Sequence, residues 1–164
     1  MKKMNFKWVH VVWLALGVLW VACGRTKEAP EAEAPSEAKT TWLTNFETAQ
    51  ARARSEKKLL LINFTGSDWC PPCIMLERQV FSQPEFKEYA AQHLILLEVD
   101  FPRRKELSEE QKAANAKLAE QYGIYAFPTV VVLDSNGKAL GQLGYMRGGP
   151  KTFIAALEKL AATE

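Results

Sequence analysis

Histidine and cysteine are the scarce reactive residues of this chain, with two and three copies in 164 residues. Three cysteines are too few to staple a disulfide-dense small fold, and an odd number leaves at least one without a partner in the chain. A Cys₄ or Cys₂His₂ zinc centre needs a further pair of ligands. Beyond the first segment, only Cys23 and His93 accompany Cys70 and Cys73, which counts against structural zinc. A c-type haem site needs a histidine directly after a C-x-x-C, and Ile74 stands there instead. An excess of one charge is also missing. The 21 Lys+Arg against 19 Asp+Glu leave a net charge of +2, so there is no electrostatic case for a nucleic-acid partner. There is no internal repeat. What is present is a composition 48% hydrophobic and 24% charged, which excludes wholesale disorder. Five tryptophans complete the picture.

The chain opens with a basic start, Lys2, Lys3 and Lys7, followed by an apolar run from Trp8 to Ala22. The run is 15 residues long, short of the ~18–20 a spanning helix needs. Basic start, short apolar centre and small final residues describe a secretory signal peptide over 1–22; an uncleaved membrane anchor is the alternative. The segment Leu19-Trp20-Val21-Ala22-Cys23-Gly24 resembles a bacterial lipobox, although Trp20 departs from the usual Leu-like residue. The resemblance implies that Cys23 is lipidated and becomes the new N-terminus, anchoring the protein to the membrane. Lipidation also removes a thiol open to mispairing outside the cytoplasm. Ordinary cleavage that leaves Cys23 a free thiol is the alternative. Gly24 stands where an Asp retains such lipoproteins in the inner membrane, which favours the outer membrane in a two-membrane bacterium. Residues 23–40 carry Pro30, Pro35 and a Glu/Ala/Lys mixture, and 24–40 lack any large apolar side chain. They read as a solvated spacer. Loss of residues 1–22 removes three lysines and no acids, so the net charge moves from +2 to −1.

From residue 41 to 164 the pattern is that of one folded domain. Thr44 and Glu47 form a capping box, and helical spacing predicts a helix over 44–56. The run Leu59 to Phe64 predicts a buried strand. A loop over 65–72 leads into a helix from about 71 to 80, and Pro84 opens a further turn or two. Leu94 to Asp100 is a second buried strand. Ser108 and Gln111 open a helix to Gln121, with Gly123 as its stop. Thr129 to Asp134 is a third strand, and Lys138 to Tyr145 pairs back on it as a hairpin. A final helix starts at Gly149-Pro150. The order α-β-α-β-α-β-β-α predicts an α/β fold, a central mixed β-sheet flanked by helices. Trp42 is expected to pack the first helix onto the domain.

The chemistry is concentrated at Trp69-Cys70-Pro71-Pro72-Cys73, after a strand and at the head of a helix. Two cysteines three apart can close a small disulfide ring, the first sulfur exposed and the second turned inward. A helix start stabilises the thiolate of the first. That thiolate attacks a client disulfide, and the second cysteine resolves the mixed disulfide. A purely structural disulfide is the alternative. Asp68 reads as solvent-facing, with tuning of the charge beside Cys70 as the alternative, and Arg103, Arg104 and Lys105 read as a solvated loop.

At these residues the sequence resembles the thioredoxin superfamily over about 41–162. The marks are W-C-x-x-C after the first core strand and Phe127-Pro128-Thr129 before the third. The resemblance implies a thioredoxin-like fold, catalytic Cys70 and Cys73, no cofactor beyond their redox disulfide, and a cis-proline at Pro128 beside it. It also implies a client-binding surface that includes Trp69, Phe127 and Pro128. Phe64 to Cys70, Val80-Phe81-Ser82 and Gly144-Tyr145-Met146 are similar to a narrower group. These are extracytoplasmic proteins akin to the C-terminal domain of transmembrane thiol:disulfide interchange reductases. That likeness implies oxidised periplasmic client proteins and a membrane-embedded electron donor.

Two departures stand out. Thioredoxins carry a buried Asp that takes the proton of the resolving cysteine; the matching residue is Asn63, an amide. Glu77, four residues after Cys73 on the same helical face, is therefore the expected proton acceptor, with a solvated helix glutamate as the alternative. Pro71 lacks the N–H that the commoner Gly offers the Cys70 thiolate, which favours the disulfide form and a more reducing protein. The expected function is a membrane-tethered extracytoplasmic thiol–disulfide oxidoreductase, acting as a reductase. An oxidase or isomerase on the same fold, or a module that binds a metal or a partner without catalysis, are the alternatives.

Overall fold

The computed structural model describes residues 41–162. The expected signal peptide 1–22, the lipidation site Cys23 and the spacer 23–40 lie outside the described residues. Elements run in the order β1 (Trp42–Leu43), α1 (Phe46–Glu56), β2 (Leu59–Thr65), α2 (Pro71–Leu76), a π-helical turn (Glu77–Phe81), α3 (Pro84–His93), β3 (Leu94–Asp100), α4 (Glu109–Gln121), β4 (Thr129–Leu133), β5 (Ala139–Leu143) and α5 (Gly149–Ala161).

The strands form one mixed sheet in the order β1-β3-β2-β4-β5. β2 and β3 are parallel along their whole length, from Leu59 opposite Leu94 to Thr65 opposite Asp100. β4 runs antiparallel to β2, and β5 antiparallel to β4. The apolar runs LLLINF and LILLEVD are covered on both faces, which is why they show no alternation. On one face Leu60, Ile62, Phe64, Ile95, Leu97 and Val99 pack with Ala49 and Ala53 of α1 and Leu118 of α4. On the other, Leu61, Leu94 and Leu96 pack with Leu76, Val80, Phe81, Phe86, Phe153 and Leu157.

Four local expectations are corrected. Residues 42–43 form a short parallel strand on β3, which two residues are too few to announce by periodicity. Trp42 therefore sits on the sheet face away from α1, its ring 5.2 Å from that of Phe81. Helix α1 is capped by Asn45, whose side chain accepts the Thr48 N–H at 2.8 Å, so Thr44 lies outside the helix. Asn is as good a cap as Thr, and it stands one residue closer to the run of helix formers. The helix after the cysteines is not regular to residue 80. It widens into a π turn with a Ser82 N–H to Glu77 carbonyl bond of 2.8 Å. The wider turn lets the adjacent Val80 and Phe81 both enter the core. Ser108 does cap α4, accepting the Gln111 N–H at 3.2 Å, and Gly123 ends it at φ +63°.

Candidate active site

Cys70 and Cys73 are joined, with Sγ–Sγ 2.07 Å and Cα–Cα 5.2 Å. Cys70 is the N-cap of α2, and Pro71 and Pro72 occupy its first helical positions. The fixed φ of proline suits a helix start, but neither residue has an N–H. The pair sits beyond the C-terminal ends of the parallel strands β2 and β3. Neither cysteine is exposed: Cys70 shows 3% and Cys73 4% of its surface, so the expected difference between them is absent in the disulfide form. A tight turn precedes the helix, in which Trp69 and Cys70 both donate to the Gly66 carbonyl, at 3.2 and 2.9 Å.

Two loops are fastened together beside Cys70. Asp100, buried at the end of β3, accepts the Ser67 N–H at 2.9 Å and the Ser67 hydroxyl at 2.6 Å. Phe101 N–H donates to the Thr65 carbonyl at 2.8 Å. Trp69 donates its indole N–H to the Phe101 carbonyl at 2.7 Å. Asp68 is not a free solvent-facing charge. Its carboxylate accepts the backbone N–H groups of Arg103, Arg104 and Lys105, at 2.9, 2.7 and 3.2 Å. These bonds, that of Arg103 foremost, hold its carboxyl below the ordinary Asp range. The stretch 103–105 is exposed, yet pinned.

An aromatic platform follows from this fastening. The Trp69 ring meets Phe127 edge-on at 6.0 Å, and Phe127 stacks on Phe101 at 5.1 Å. Arg103 lies 3.9 Å from the Trp69 ring centroid. The Phe127–Pro128 peptide bond is cis. Ile74 and Met75, just after Cys73, and Tyr125, two residues before Phe127, are exposed large apolar side chains.

Below the cysteines the sheet changes character. β2 presents Leu61 and then Asn63 and Thr65 to α2; β3 presents Leu94 and Leu96 and then Glu98 and Asp100. A cavity of about 140 Å³ opens there, with Cys73, Glu77, Asn63 and Glu98 among its walls. Asn63 is 5% exposed, and its Oδ1 has no hydrogen-bond partner among the described residues. Glu77 is exposed and accepts the Ser82 hydroxyl at 2.7 Å. Glu98 is half-buried. Burial, with the negative charges of Asp100 and Glu77, pushes its carboxyl up, and Lys105 opposes this in part. The sequence reading did not single out Glu98. Its signal was there: a carboxylate set between the apolar Leu97 and Val99 of a strand.

Comparison with known proteins agrees with this geometry. The model of the thioredoxin-like domain matches residues 46–161. The chain belongs to the thioredoxin-like family. Over 114 residues it is 35% identical to the disulfide bond reductase DsbH of Chlamydia pneumoniae, spanning 70% of this chain and 69% of that one. A solved structure of a DsbH oxidoreductase superimposes with a TM-score of 0.73 at 32% identity, covering 84% of this chain and 95% of that chain. The thiol:disulfide interchange protein DsbD of Haemophilus ducreyi is 26% identical over 125 residues, which is 74% of this chain and only 20% of that much longer protein. With its Cys70–Cys73 pair, this thioredoxin-like chain is a thiol–disulfide oxidoreductase of the Dsb type. Among the described residues, no group of three His, Cys, Asp or Glu side chains is placed to hold a metal ion. No helix among them is long and apolar enough to cross a membrane.

Proposed function

We propose that the protein is a membrane-tethered, extracytoplasmic reductase of protein disulfides. Cys70 is the nucleophile and Cys73 the resolver. The reading is carried by one observation: the Cys70–Cys73 disulfide caps α2 beside the platform of Trp69, Phe127 and Pro128.

In the reduced protein the Cys70 thiolate attacks a client disulfide, forming a Cys70–client bond and expelling one client thiolate. Cys73 then attacks the Cys70 sulfur. The Cys70–Cys73 disulfide forms, and the second client sulfur leaves as a thiolate. The client gains two electrons and the protein loses two. A membrane-embedded donor returns them. An extended client segment lies on the Phe127–Pro128 loop by strand addition, its side chains against Trp69 and Tyr125. Glu77, at the mouth of the cavity behind Cys73, exchanges the resolving proton with solvent.

The 1–22 segment acts as a lipoprotein signal peptide, lipidated Cys23 as the anchor, and 23–40 as the spacer. Gly24 favours the outer membrane. The relative named a disulfide bond reductase supports the reducing direction, as does the missing N–H at Pro71. The test is the reduction potential of the Cys70–Cys73 pair at equilibrium with glutathione. A value more negative than about −200 mV fits a reductase; one near −120 mV, the range of strong oxidants, gives the oxidase reading instead.

A further inference from the structure

Thiol–disulfide exchange needs a base for the Cys73 proton, because only a thiolate attacks the mixed disulfide. Glu98 of β3 stands directly opposite Asn63 of β2 in the parallel register. Both side chains point to the face where α2 lies, and both line the cavity that Cys73 also lines. That cavity, about 140 Å³ with several polar side chains in its walls, has room for water between the groups.

We propose that Glu98 is the proton acceptor for Cys73, and that Asn63 is its hydrogen-bond partner once protonated. This rests on the thiol–disulfide reading of the Cys70–Cys73 pair. In the resolving step the Cys73 S–H proton passes to a Glu98 carboxylate oxygen, directly or through one water. The Cys73 sulfur bonds to the Cys70 sulfur, and the client sulfur leaves with the electron pair of the broken bond. The new Glu98 O–H donates to Asn63 Oδ1, the buried acceptor that otherwise has no partner. An amide at residue 63 can accept from the protonated acid through Oδ1 and donate to the ionised one through its NH₂ group. Exposed Glu77 lies on the solvent side and takes the proton onward.

The charged groups around Glu98 suit the role. Asp100 on its own strand and Glu77 on the helical turn disfavour its ionised form, while Lys105 from the loop after β3 favours it. Arg78 also borders the cavity. A carboxyl raised by burial and these acids is a stronger base than an exposed one.

The test uses the full chain, pre-reduced, with a cystine-containing peptide as client, and separates the two steps by rapid mixing and acid quench. Glu98→Gln is expected to slow resolution at least about tenfold near neutral pH and to flatten its rise with pH. In the Cys73→Ala background, Glu98→Gln should leave the first step, formation of the Cys70–peptide bond, unchanged. Glu77→Gln should slow resolution less than Glu98→Gln does. Wild-type resolution rate and pH profile in Glu98→Gln would overturn the proposal, as would a larger effect of Glu77→Gln. A second measurement needs no variant: the NMR titration midpoint of the Glu98 carboxyl in the wild-type chain. It should differ between the disulfide and dithiol forms; an identical midpoint in both overturns the proposal. Failure of the wild-type chain to reduce the peptide at all would instead reject the underlying reading.

Discussion

Asp68 holds Arg103 by its backbone N–H at 2.9 Å, and the Arg103 guanidinium lies over the neighbouring Trp69 ring. One acid beside the nucleophile thus ties the loop after β3 to the loop after β2. The carboxyl is held below its ordinary range by those N–H donors. Its contribution is therefore complete above the usual carboxylate pKa and is lost as pH falls through the lowered folded-state value. Hydrogen exchange should show the Arg103, Arg104 and Lys105 amides protected at neutral pH and unprotected well below about pH 4. In Asp68→Ala they should be unprotected at every pH.

Gly66 lies against the indole of Trp69. A Cβ built there would stand 2.5 Å from Trp69 Cε2, and the ring cannot simply swing away while its N–H is bonded to Phe101. Gly66→Ala is expected to cost about 1–3 kcal/mol of stability, measured by chemical denaturation. It should also shift the tryptophan emission, since only Trp42 and Trp69 lie in the described residues.

Phe127 joins Phe101 to Trp69. Each aromatic contact is worth about 0.5–1.5 kcal/mol, so Phe127→Ala should destabilise modestly. Its larger effect should be a several-fold rise in client KM with a smaller change in kcat. Tyr125 is 97% exposed; Tyr125→Ser should leave the melting temperature unchanged and raise KM.

Pro71→Gly restores an N–H near the Cys70 sulfur. A charge-assisted hydrogen bond is worth about 1.5–3 kcal/mol, and 1.4 kcal/mol corresponds to about 30 mV for this two-electron couple. The variant should have a lower Cys70 thiolate pKa and a potential less negative by a few tens of millivolts.

The sequence exposed the fold where a physical rule is strong. Buried parallel strands need largely apolar runs, and Leu59–Ile62 and Leu94–Leu97 supply them. Two prolines after Cys70 announce a helix start. The sequence hid what depends on contacts distant along the chain. Trp42 and Leu43 form a strand only because Leu96 and Leu97 lie beside them. The roles of Asp68 and Asp100 are set by N–H groups brought in by another loop. Glu77 could be picked by helical spacing from Cys73; Glu98 reaches the same cavity only through the pairing of β2 with β3.

The central claim is that Cys70 carries electrons to a client disulfide and Cys73 releases it. Its most direct measurement is mass mapping of the full-length Cys73→Ala protein, reduced and then mixed with a cystine-containing peptide. The expected result is a stable one-to-one mixed disulfide at Cys70, absent from the wild-type chain because Cys73 resolves it. No adduct at Cys70, or one that persists equally in the wild type, would contradict the account.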